Sequence, residues 1–124
     1  MKARTRPLKF CGSLGLLALS LRAAAAGDCV HRPERFELRS DTVYWTASVR
    51  PGSECLQGLR GSTMLLEDVK LIEPARAGSV TIAGPSFRYQ APSTPINDSF
   101  RIAVAGENRR QRGTSVIVVE VTVK

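Results

Sequence analysis

Cys29, His31 and Cys55 have the widest chemical reach in this 124-residue chain, a pair of thiols with the single imidazole two positions beyond the first. Cys29 and Cys55 are 26 positions apart and lack a CxxC spacing, so in an oxidising compartment they are expected to close one disulfide. The chain-entropy picture gives that loop roughly 3 to 4 kcal/mol of stabilisation. A zinc centre needs three or four ligands at close sequence spacing, which one histidine and two distant cysteines do not supply. A Ser-His-Asp site would have to draw His31 from near the start of the mature chain, a poor place for preorganised catalysis. Glycine-rich phosphate cradles and nucleotide fingerprints do not occur. The expectation is therefore a chain with no catalytic residue, metal or cofactor, and not an enzyme.

Three further sets of side chains stand as candidates for binding. Arg109, Arg110 and Arg112, interleaved with Asn108 and Gln111, form the one local cluster of charge. They suit an anionic envelope component, such as lipopolysaccharide or a glycan acid, or an acidic protein face. The plainer reading is a solvated hairpin tip that keeps its strands from pairing with other chains. Trp45 and Tyr44 admit two readings as well: Trp45 as a core anchor, or the two rings as a platform for a glycan. Asp98 reads as a turn residue accepting backbone N–H groups, with calcium as the rival, although the eleven acidic residues never gather into an oxygen-rich ligand loop. Asn97-Asp98-Ser99 also fits the N-glycosylation pattern.

Where these groups end up depends on how the chain is divided. Residues 1–26 carry a basic head (Lys2, Arg4, Arg6, Lys9), an apolar run over residues 10–21 and the small residues Ala24, Ala25 and Ala26. This is the pattern of a secretory signal peptide cleaved after Ala26, and the run is too short for the ~20 residues that span a bilayer. Asp28 before Cys29 is a poor match to a lipid-modified cysteine. Five of the 18 Lys and Arg, Cys11, and none of the 11 Asp and Glu lie in this leader, which leaves 13 basic against 11 acidic groups in residues 27–124. A near-neutral domain of that kind argues against a nucleic-acid partner. The expected location is secreted or periplasmic, with no membrane span in the mature form.

Within residues 27–124 the apolar period is two almost throughout, which places these groups on strands and turns. Phe36 and Leu38 open with a short strand. Val43, Trp45, Ala47 and Val49 share one face of the next. Residues 63–73 read as a strand, with a helical stripe as the alternative. Residues 79–83 and 87–90 make a hairpin through Gly84-Pro85, and the proline-rich residues 91–95 read as an extended crossing between sheets. Phe100, Ile102 and Val104 face inward, residues 106–113 read as a polar loop, and Ile117, Val119, Val121 and Val123 share a face of the last strand. With Val116 and Val118 on its other face, that strand is expected to be central. Trp45, Tyr89 and Phe100 are the candidate core anchors. About seven short strands in this length predict an all-β, two-sheet antiparallel sandwich.

The order Pro74-x-x-x-Gly78-x-Val80, Phe87-x-Tyr89-x-x-Pro92, Asp98-Ser99-Phe100 and Gly113 before a valine-rich end resembles the bacterial Ig-like and cadherin-like domains of exported proteins. The resemblance covers residues 64–124, and Ile96 stands where those domains carry a glycine. It implies an Ig-like module with a structural or interaction role and no catalytic residue to carry over. The alternative is a small periplasmic or secreted glycan-binding protein using surface aromatics.

Overall fold

Alternation of apolar and polar residues leaves each segment with one face to bury, and two stacked sheets satisfy all of them at once. The computed structural model describes residues 29–61 and 63–124, so the expected leader and its cleavage site lie outside the described residues. Eight strands follow in order: β1 (Cys29–Arg32), β2 (Asp41–Val49), β3 (Glu54–Gly58), β4 (Met64–Glu73), β5 (Ser79–Ala83), β6 (Ser86–Gln90), β7 (Ile96–Asn108) and β8 (Gln111–Val123). A five-stranded sheet has the order β1-β2-β8-β7-β4, and a three-stranded sheet the order β3-β6-β5. The chain crosses between them at residues 91–95, where proline excludes ladder pairing.

Trp45, Phe100, Ile102, Val119 and Val121 of the larger sheet face Phe87, Tyr89 and Cys55 of the smaller one, all of them buried. Phe100 lies between the layers, edge-on to Phe87 at 5.2 Å and stacked on Tyr89 at 5.8 Å between ring centroids. Trp45 reaches Phe87 at 6.5 Å, so a chain of rings bridges the two sheets. The Cys29–Cys55 disulfide ties edge strand β1 of one sheet to edge strand β3 of the other, with Cα atoms 5.5 Å apart. Val118, on the outer face of β8, is also buried, as befits the central strand.

Several expectations change. There are eight strands rather than seven, and the sheets are not wholly antiparallel. β2 runs parallel to β8 in unbroken register from Asp41↔Ser115 to Val49↔Val123. Phe36 and Leu38 are buried but lie in an irregular connection, because Leu38 (φ 59°) and Ser40 (φ 61°) adopt left-handed backbone that no strand tolerates. Residues 106–113 are not a loop either: β7 and β8 continue to Asn108 and Gln111 and are joined by two residues alone. Gly106 and Gly113 read as loop signals, yet they sit opposite one another in the ladder. Gly113 is there because a side chain would strike the Leu38 carbonyl. Residues 64–73 form the edge strand β4, with register shifts near Leu66 and Leu71. Those two irregularities explain why its apolar spacing imitates a helical stripe.

Candidate functional site

The loop end of the two sheets is built from three short stretches whose polar groups lock into one another. Asn108, the last residue of β7, is buried, donates from Nδ2 to the Glu37 carbonyl at 3.3 Å and accepts the Thr63 hydroxyl at 2.7 Å. One amide thus joins the hairpin tip to the β1–β2 and β3–β4 connections. The β1–β2 connection is fastened a second time by Ser115, whose hydroxyl accepts the Leu38 N–H at 2.9 Å and donates to Asp41 at 2.6 Å. Asp41 accepts the N–H groups of Glu37 and Arg39, each at 2.9 Å. Burial works to raise the Asp41 carboxyl, but the Ser115 hydroxyl and these N–H groups together hold it below the usual carboxylate range.

Between these stretches lies an open groove of about 410 Å³. Phe36, Trp45 and Leu59, all buried, form its floor, and Arg35, Arg60 and Arg109 stand at its rim. The indole N–H of Trp45 donates to the Glu34 carbonyl at 2.6 Å, which holds the wall formed by residues 33–37 against the floor. Glu34 and Glu37 are the acidic members of the lining. Glu34 accepts the Tyr44 N–H at 3.3 Å, and Glu37 lies 3.7 Å from Arg35.

No protein-family model, curated protein or solved structure matches this chain.

The three arginines of the candidate loop separate. Arg112 forks onto Glu67 of β4 and lies 3.7 Å from Glu107, so it clips neighbouring strands together and does not belong to a free cluster. Arg109 and Arg110 are the two central residues of the tight turn, both exposed and both left-handed (φ 52° and 69°), and neither side chain has a partner among the described residues. A two-residue hairpin turn with both φ values positive is the setting in which Asn-Gly is favoured, because a β-carbon there crowds the following carbonyl. Replacing Arg109→Asn together with Arg110→Gly is expected to raise the unfolding free energy by about 1 to 2 kcal/mol. Urea unfolding checks it, and a neutral or destabilised double variant would show that the turn carries no strain.

Trp45 is only 4% exposed while Tyr44, on the opposite face of β2, is 54% exposed, so the two rings do not form a common platform. Trp45, Tyr89 and Phe100 are all buried in the core. Asp98 receives the N–H groups of Arg76, Ala77, Gly78 and Ser99 and the Tyr89 hydroxyl at 2.8 to 3.2 Å. Donors surround it, which is the reverse of a calcium ligand's setting. Spacing argued against a Cys29, His31 and Cys55 group, but β1 and β3 bring the three together with their ligand atoms all within 4.8 Å of one another. The sequence carries no signal for the Asn108 clamp beyond a polar residue at a turn.

Proposed function

We propose that the chain is an exported, non-enzymatic Ig-like β-sandwich, secreted or periplasmic in a bacterium, that binds an acidic segment of a protein partner at its hairpin end. The observation that carries this reading is a concentration of strain. The four non-glycine residues with left-handed backbone among the described residues, Leu38, Ser40, Arg109 and Arg110, all belong to two of the three stretches that build that end. Each costs on the order of 1 to 3 kcal/mol, and such strain gathers where a surface is shaped for use. The rim arginines supply the complementary charge, and the floor of Phe36, Trp45 and Leu59 offers one apolar anchor site to a peptide side chain. The cross-sheet disulfide is in keeping with an oxidising compartment. The glycan alternative has less support, because Tyr44 and Trp45 point to opposite faces.

The test is fluorescence anisotropy with a labelled peptide of glutamate and leucine residues, at low and physiological salt. Binding that weakens with salt, and that drops about 3- to 10-fold in the Arg109→Asn/Arg110→Gly variant, is the expected result. Arg88→Ser, on the smaller sheet away from the groove, should leave it unchanged. Equal affinity in wild type and double variant would overturn the assignment. So would preferential binding of anionic phospholipid vesicles or a sulfated polysaccharide over the peptide.

A further inference from the structure

At the edge where the two sheets are pinned together, the fold assembles a set of donors that groove binding does not use. Cys29 and His31 alternate along edge strand β1 with the exposed Val30 between them, so both side chains turn to the side where Cys55 of edge strand β3 lies. Their Sγ and imidazole nitrogen atoms and the Cys55 Sγ lie within 4.8 Å of one another. His31 Nδ1 is buried and has no hydrogen-bond partner, a condition that a buried nitrogen seldom keeps without cause. Two soft sulfurs and an imidazole lone pair are the donor set of a three-ligand site for a closed-shell soft or borderline cation.

We propose that the reduced form of this chain binds one d¹⁰ cation, Cu(I) or Zn(II), through Cys29, His31 and Cys55, and that the disulfide is the metal-free, oxidised state of the same site. A dithiol reductant transfers two electrons and two protons to the bridge, giving two protein thiols and the reductant's own disulfide. Metal binding then displaces both thiol protons while neutral His31 donates from Nδ1. A cation about 2.3 Å from each sulfur holds the two sulfurs some 3.8 Å apart. The widening falls on β1 and β3, each paired along one side only, rather than on the interior of a sheet. The site is redox-gated, because neither sulfur offers a thiolate while the bridge is closed.

The experiment titrates the purified chain anaerobically after phosphine reduction, with Cu(I) or Zn(II) held by a competing chromophoric chelator in separate arms. The fold is followed by near-ultraviolet dichroism of Trp45. One equivalent bound by the reduced chain, none by the oxidised chain, and at least tenfold weaker binding by reduced His31→Ala is the expected outcome. His31→Ala leaves the disulfide available, so its oxidised form serves as the folding control. If the reduced chain loses its dichroism and the metal restores it, the proposal stands. If the metal does not restore it, the proposal falls. Equal affinity in His31→Ala and wild type would reduce the site to a bare dithiol and overturn it, as would a folded, reduced chain that takes up neither cation. The arm that binds tighter names the metal.

Discussion

Replacing Asp98→Ala is expected to lower the unfolding free energy by about 3 to 5 kcal/mol, a large part of what a domain of this size possesses. Asp98 is 4% exposed and its carboxylate accepts five hydrogen bonds, three of them from the successive N–H groups of Arg76, Ala77 and Gly78 where the chain turns from β4 to β5. Alanine leaves those donors and the Tyr89 hydroxyl facing a void, and each buried, unpaired group costs on the order of 1 to 3 kcal/mol, less where water can enter. Gly78 ties the arrangement together, since a β-carbon there would come within 2.6 Å of the Tyr89 ring. The turn can neither relax inward nor accept a side chain.

Charge makes the same site sensitive to acid. Burial works to raise the Asp98 carboxyl, but the N–H groups of Gly78 and Arg76, the Tyr89 hydroxyl and the N–H of Ser99 outweigh it and hold it below the usual range. Burial and the adjacent carboxylate push the Tyr89 hydroxyl well above its ordinary value, which keeps it a donor. A carboxyl depressed in the folded state contributes stability that is complete above its unfolded value, about 3.9, and is lost as the pH falls through the folded value. Urea midpoints between pH 7 and pH 2 should therefore decline in acid, with a shallower decline in Asp98→Asn than in wild type. Asp41 adds to the same slope in both. A loss under 1 kcal/mol in Asp98→Ala at pH 7 would show that the five bonds are replaceable by water.

Phe100→Ala is expected to cost about 3 to 5 kcal/mol by a different route, the cavity left between the sheets. Phe100 is fully buried, and its ring touches both aromatics of β6, so the layers meet through it. Phe100→Leu, which refills most of the space, should cost about a third of that. Leu65→Ala, on the outer face of β4 at 59% exposure, should stay within about 0.5 kcal/mol of wild type. Because Tyr89 both stacks on Phe100 and donates to Asp98, the Asp98→Ala/Phe100→Ala double variant should lose less than the two single losses combined. Strict additivity in denaturant unfolding would separate the turn from the core and contradict the shared role of Tyr89.

Strand content, the inward faces and the disulfide were legible because each is written locally. Val43, Trp45, Ala47 and Val49 alternate with polar residues, and two cysteines in residues 27–124 allow one pairing. The hairpin at Gly84-Pro85 and the crossing at residues 91–95 were legible for the same reason, since glycine and proline limit backbone choice wherever they stand. What misled was also local. Gly106 and Gly113 imitate a loop although they serve close backbone approaches, and Phe36 and Leu38 imitate a strand although Leu38 is left-handed. The groove and the Cys29, His31 and Cys55 group were not legible, because Cys55 reaches Cys29 and His31, and Leu59 reaches Phe36 and Trp45, only through the order of the strands.

By itself, the amino-acid sequence determined which side chains must leave water and which backbone stretches can pair, since both follow from the period of two and from turn chemistry at single residues. The tertiary structure alone decided that β2 lies parallel to β8, that Arg112 is spent on Glu67 while Arg109 and Arg110 stand free of partners among the described residues, and that His31 meets two sulfurs. Pairing partners are chosen by the global packing of two sheets. A residue's chemistry depends on those partners, and no local pattern encodes them.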